Sequence, residues 1–117
     1  MIKQDECIFC KIAKKEIPVE VIFETENFIC FPDADPVVKG HSLIITKKHF
    51  MNIMELPSDL GKELINVIKK LGEIKLKECF SGFNLIMNNF PEAGQIVMHA
   101  HIHLLPRKKG DGVKVLG

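Results

Sequence analysis

Three of the chain's five histidines fall at alternate positions in one short stretch, His99-Ala100-His101-Ile102-His103, followed by Leu104 and Leu105. A period of two belongs to a β-strand, which predicts all three imidazoles on one face and Ala100, Ile102 and Leu104 against a core. Side chains that titrate near neutral pH, set in such a row, suit chemistry on an anion or metal binding better than packing. Residues two apart on a strand are separated by roughly 6.6 Å, so the outer pair lies about 13 Å apart. A zinc ion with Zn–N bonds of about 2.0–2.1 Å cannot take all three from a straight strand, although one or two could be ligands. The row as a whole fits an extended, negatively charged ligand such as a polyphosphate ester. Cys7-Ile8-Phe9-Cys10 is a C-x-x-C pair, ambiguous by itself between metal and redox chemistry. No strand pattern precedes it and no βαβ pattern follows, which disfavours the redox reading.

The elements that must position these residues can be read from apolar spacing. A short helix is predicted over residues 7–15, stopped by Pro18. Two strands over 19–25 and 27–31, rich in Val, Ile and Phe, flank a tight turn. A loop carrying Pro36 and Gly40 leads into a third strand over 42–46. One long helix is predicted over 58–78, with Ser58 as its N-cap and Leu60, Leu64, Val67, Ile68, Leu71 and Ile74 along one face. Strands over 83–87 and 99–105 complete the chain, separated by a loop bearing Asn, Pro and Gly. Strands, then a helix, then strands argue for an α+β domain on an antiparallel sheet of about five strands, with one long and one short helix.

Composition sets the class. A chain of 117 residues, 46% hydrophobic, makes one domain over 1–117 with a single core. Sixteen basic against fifteen acidic side chains give a net charge of +1, so no global field recruits nucleic acid. Tyr and Trp are absent, and no aromatic stacking platform is evident. Residues 1–6 lack the apolar core of a signal peptide, and no apolar run approaches the ~20 residues of a membrane span. Four cysteines without a secretory signal point to a reducing compartment, hence to a cytoplasmic protein with metal-bound or free thiols.

The segment His99-Ala100-His101-Ile102-His103-Leu104-Leu105 resembles the His-φ-His-φ-His-φ-φ signature (φ apolar) of the histidine triad, or HIT, nucleotide-binding proteins. Cys7-Ile8-Phe9-Cys10-Lys11-Ile12 with Glu16-Ile17-Pro18 is similar to that family's amino-terminal segment. Phe31-Pro32-Asp33-Ala34-Asp35-Pro36, Gly40-His41-Ser42-Leu43-Ile44-Ile45 and Lys47-Lys48-His49 are similar to its middle. Asn88, then Ala93-Gly94-Gln95, leads into the triad as the family pattern does. The resemblance covers nearly the whole chain and is greatest to the small Hint-like branch.

That resemblance implies a HIT-like fold, a homodimer with a sheet continuous across two subunits, and a purine nucleotide as partner. It implies hydrolysis at the α-phosphate of nucleoside monophosphate derivatives, of adenosine 5′-phosphoramidate type, through a nucleotidyl-histidine intermediate. His101 would be the nucleophile, expected to be kept neutral by neighbouring positive charge, and His103 a donor to a phosphate oxygen. Asn88, Gly94 and Gln95 would belong to the phosphate site, Gly94 through its backbone N–H. Asp33 would accept from the ribose hydroxyls; Ile8, Phe9, Ile12, Ile17 and Ala34 would line the base slot. Without the resemblance, Asp33 and Asn88 are ordinary turn residues and the apolar set is ordinary core. Cys7, Cys10, His49 and His99 would hold a structural Zn2+ in a closed Cys₂His₂ shell; His41, Cys30 and Cys79 would be structural. In one respect the chain departs from its relatives: Ile96 stands where many carry a Ser or Thr that protonates the leaving group. Two other readings follow, a dinucleoside polyphosphate hydrolase, suggested by Pro91-Glu92-Ala93-Gly94-Gln95 and Pro106-Arg107, and a non-catalytic nucleotide-responsive binding protein.

Overall fold

The computed structural model describes residues 6–116; the reading of the first five residues lies outside it. The elements are α1 (Ile8–Ala13), β1 (Phe23–Glu24), β2 (Phe28–Pro32), β3 (Ser42–Thr46), α2 (Gly61–Lys77), β4 (Gly82–Ile86) and β5 (His101–Arg107). The strands form one antiparallel sheet in the order β1-β2-β3-β5-β4, the five-stranded arrangement with one long and one short helix that the sequence predicts.

Every residue of β3 is buried, because the sheet is covered on both faces. Strand alternation places Ile29, Phe31, Leu43 and Ile45 on one side, where they pack with Cys7, Phe9, Cys10 and Ile12 of the α1 region. Phe28, Cys30, Ile44 and Leu104 face the other side and meet Val67 and Leu71 of α2, flanked by Leu60, Leu64 and Ile68. Leu43 lies opposite His103 and Ile45 opposite His101, so the two histidines share the α1 face. At α2 the close approach occurs at Gly72, where a Cβ would come 2.7 Å from the Phe83 ring.

Several boundaries differ from the sequence reading, four of them with structural consequences. The first strand pairs only at Phe23–Glu24, while Pro18 and Val19 instead wall a cleft. Ser58 does not cap α2: it opens a 3-10 turn, Ser58–Leu60, after Pro57, and no side chain caps the helix. Glu63 in its first turn reaches across to the β1–β2 turn, accepting from Thr25 Oγ1 at 2.6 Å and from Asn27 N and Nδ2 at 2.9 and 2.8 Å. Strand β4 begins one residue earlier than expected, at Gly82. Most consequentially, β5 starts at His101: the N–H of His99 turns onto Val97 O and that of Ala100 onto Phe50 O, taking His99 out of the ladder.

Because Leu71 is fully buried between α2 and the sheet, Leu71→Ala is expected to cost about 2–5 kcal/mol of unfolding free energy. A lower urea midpoint at constant m-value would show it.

Candidate active site and metal centre

On the α1 face lies a cleft of ≈ 580 Å³, within the size range of small-molecule sites. Its floor and one wall are apolar, built by Ile8, Phe9 and Ile12 of α1, Ile17 and Ala34; its other end is polar, with Asp33, Asn88, Gly94, His101 and His103. All ten of these residues were singled out from sequence. Pro18, Val19, Phe31, Leu43, Ile96 and Val97 also line it and were missed as lining. The parity of β2 and β3 with the histidine row was the one available signal, and it pointed at Phe31 and Leu43. A shallower groove of ≈ 470 Å³ between the β1 turn and α2 includes Glu63, whose carboxylate is already occupied by Thr25 and Asn27.

Hydrogen bonds to groups of fixed polarity assign the imidazole tautomers. His101 Nδ1 lies 2.7 Å from the carbonyl oxygen of His99. A carbonyl only accepts, so Nδ1 carries the hydrogen and Nε2 the free lone pair. The opposite holds at His103. The N–H of Val37 donates to His41 Nδ1 at 3.2 Å, which leaves His41 Nε2 as donor to His103 Nδ1 at 2.9 Å. Neutral His103 therefore carries its hydrogen on Nε2. Neighbouring imidazoles, with ring centroids 5.1 Å apart, thus present a lone pair and a donor respectively. His41, expected to be structural, orients His103, and Asp33 Oδ2 lies 3.4 Å from His41 Nε2.

Burial lowers the pKa of His101, aided by no cation; the expected neighbouring positive charge is not the cause, and Asp33 opposes the shift. Phe9 supplies part of the burial, its ring edge-on to His101 at 5.0 Å between centroids. His103 is pushed down to about 4, first by burial and then by repulsion from His101 and His41. Both shifts favour the neutral imidazole, the form a nucleophile would require.

The loop before β5 forms the rest of the polar end. Asn88 lines the cleft, its amide nitrogen 3.7 Å from where a Cβ on Gly94 would sit. Gly94 has φ +92°, a conformation that favours glycine, but its N–H is bonded to Pro91 O and is not the free donor expected. Among the described residues the N–H groups of Ile96 and Val97, which also line the cleft, have no protein partner. The Gln95 side chain does not reach the cleft: Oε1 accepts from Phe90 N, and Nε2 donates to Met51 O and Val97 O. Ile96 is 88% exposed at the cleft, where its side chain offers no proton donor.

Behind this face, Cys7, Cys10, His49 and His99 bring one ligand atom each to within 4.8 Å of one another. His99 Nδ1 is 3.3 Å from Cys7 Sγ and 3.5 Å from Cys10 Sγ, and His49 Nδ1 is 3.2 Å from Cys10 Sγ. A tetrahedral ion with Zn–S of about 2.3 Å and Zn–N of about 2.0–2.1 Å has S···N edges of about 3.6 Å, so the four residues fit one. The tautomer fits as well: His99 Nε2 donates to Thr46 O at 2.7 Å, leaving Nδ1 to ligate. Burial, then the adjacent Cys7, pushes the Cys10 thiol up to about 11. Two thiolates side by side need a cation there, and this donor set would hold one. All four ligand positions are filled by protein, so the group would be structural.

The model of the HIT domain matches residues 14–110. Over 106 residues, 91% of this chain and 82% of the relative, the sequence is 44% identical to an uncharacterised HIT-like protein of Methanocaldococcus jannaschii. It is 39% identical over 113 residues to an adenosine 5′-monophosphoramidase of Candida albicans, covering 92% of this chain and 74% of that one. A crystal structure of a Zn-bound histidine triad family protein from Mycobacterium smegmatis superposes with a TM-score of 0.87 at 30% identity, covering 96% of this chain and 82% of that chain.

The buried imidazoles set an acid limit on stability. His99, like His103, is held down to about 4 by burial, whereas an unfolded chain's histidines protonate near 6.5. Between those values the unfolded state binds more protons, so the metal-free protein loses stability as pH falls from about 6.5 towards 4. Urea midpoints in chelator at pH 7 and pH 5 test this; equal midpoints would show that the histidines titrate as they do in the unfolded chain.

Proposed function

The chain belongs to the histidine triad (HIT) family, and from that membership and the cleft's geometry we propose that it hydrolyses purine nucleoside monophosphate derivatives of adenosine 5′-phosphoramidate type. The observation that carries the reading is the pair of opposite tautomers, a lone pair on His101 Nε2 beside a donor on His103 Nε2, at the polar end of an otherwise apolar cleft. The phosphoramidase name of the Candida albicans relative supports the substrate class.

In this reading the base lies against Ile8, Phe9, Ile12 and Ile17. Asp33, one of whose oxygens already accepts from Asp35 N at 2.8 Å, retains acceptor capacity for the ribose hydroxyls. Nε2 of His101 attacks the α-phosphorus, the P–N bond breaks, and the amine leaves with a proton from solvent, since Ile96 has none to give. His103 and the Asn88 amide donate to non-bridging oxygens, and the His99 carbonyl stabilises the imidazolium formed. Water then attacks phosphorus, frees His101 and releases the nucleoside monophosphate. Splitting one displacement into two is covalent catalysis. Ile96 is also the observation that favours the second reading, a nucleotide-binding protein with slow chemistry.

Cys7, Cys10, His49 and His99 would hold a structural Zn2+ that ties α1 to the segments before and after the sheet's central strands. Assembly as a homodimer is supported by the open edge of β4 and by Ile65, Leu76 and Leu85, which are about half exposed. Four free cysteines suit the cytoplasm, and no described helix is long and apolar enough to cross a membrane.

Quenching a single turnover of adenosine 5′-phosphoramidate should trap a nucleotidyl-protein that is absent from His101→Ala. That variant should lose turnover while keeping nucleotide affinity within about tenfold, because binding rests on other groups. Parallel loss of both would remove His101 from the bond-making step, and saturable binding with no adduct in the wild type would favour the sensor.

Protein purified without chelator should carry about one zinc per chain. Cys7→Ser should lower zinc content and melting temperature together, because ligands from separate elements make binding energy into folding energy. Absence of stoichiometric metal, with a melting temperature indifferent to chelator, would overturn the assignment.

A further inference from the structure

Phe90, in the loop between β4 and β5, has φ +75° and ψ 151°. The extended ψ follows from Pro91, which bars the helical region to the residue before it. The positive φ has no such cause, and this corner of backbone space is essentially restricted to glycine. Strain of that kind persists only where neighbours hold it: the Phe90 carbonyl accepts from Ala93 N at 3.1 Å, and the remaining bonds come from Gln95. The N–H of Phe90 donates to Gln95 Oε1 at 2.8 Å, and its carbonyl accepts from Gln95 N at 3.2 Å. The same side chain donates through Nε2 to Met51 O at 2.6 Å and to Val97 O at 3.0 Å. It is buried, at 4% exposure. A second tie runs alongside, from Ile53 N to Asn89 Oδ1 at 2.9 Å.

We infer that Gln95 is a positioning residue, locking the strained Phe90 and pinning the loop of residues 88–97 to the segment that follows His49. Asn88, Ile96 and Val97 line the cleft from that loop, and the N–H groups of the latter two have no protein partner among the described residues, so the lock sets where these donors stand. The side chain must offer two donors and one acceptor at this length, which glutamine does. Glutamate would turn a carboxylate on two carbonyls, and methionine fills the volume with no hydrogen bond. Glycine at position 90 would adopt φ +75° unaided, so the need for Gln95 depends on the residue it holds. The inference rests on the reading of residues 88–97 as a phosphate loop.

The test is a cycle of wild type, Gln95→Met, Phe90→Gly and the double variant, read by melting temperature without ligand and by kinetics with adenosine 5′-phosphoramidate. Gln95→Met should lower the melting temperature by about 4–8 °C and kcat by roughly 10- to 100-fold with KM little changed, as misplaced donors would. Phe90→Gly should restore at least half of both losses. If Gln95→Met does not fold, folding of the double variant supports the lock and its failure to fold overturns it. A raised KM with unchanged kcat and melting temperature would make Gln95 a ligand contact, and additive losses in the double variant would show no coupling; either overturns the inference. The thermal arm needs no substrate, so a wild type inactive on the phosphoramidate would refute the proposed substrate while leaving the lock to be judged by melting temperature.

Discussion

The carbonyl of His99 accepts the Nδ1–H of His101 at 2.7 Å, and the free lone pair on the other ring nitrogen exists only because that carbonyl is where it is. His99 is in turn fixed at three points: its ring is bonded to Thr46 O through Nε2, faces two cysteine sulfurs through Nδ1, and its N–H turns onto Val97 O. The residue leaves the sheet to do this. Had it continued the strand, its carbonyl would have joined the ladder instead of orienting an imidazole. The Cys7, Cys10, His49 and His99 cluster and the histidine face of the cleft are therefore one mechanical unit, joined through the backbone of a single residue.

The sheet supplies the stiffness that such an arrangement needs. Its central strand is buried along its full length, with α2 on one face and the α1 region on the other. Long-helix packing stabilises the fold from the side opposite the histidine row, which leaves the histidine face free to be a cleft. Phe9 belongs to both worlds: it packs in the core beneath α1, and its ring stands edge-on to His99 and His101. The apolar contact that builds the core is also a source of the desolvation that keeps His101 neutral. With a net charge of +1, the protein has little overall field with which to attract an anion. Recognition of phosphate would then fall to neutral donors at short range, in a site where burial strengthens each of them.

Much of this was legible in the residues themselves. A period of two put His101 and His103 on one face, the 3.6-residue stripe identified α2, and Cys7-x-x-Cys10 with His49 and His99 was expected to be a ligand set, four residues that the fold brings together. Family resemblance added Asp33, Asn88 and the α1 apolar set, all of which line the cleft. Local pattern suffices for such features because side-chain direction follows from backbone period.

What the sequence left open were choices made by distant partners. Nothing local says that the strand yields at His99, since that depends on Phe50, Thr46 and two cysteines about ninety residues away. His41 looked structural because its role lies in a hydrogen bond to His103, sixty-two positions along the chain. Gln95 and the Gly94 N–H matched a phosphate-site pattern, yet the Gly94 N–H is engaged by the loop itself and the Gln95 side chain by the loop and Met51 O. The sequence determined which groups are present and, within the regular elements, which face each occupies. Only tertiary structure decided which nitrogen carries each proton and which amides are already spent, because a hydrogen bond's polarity is set by the partner that folding brings to it.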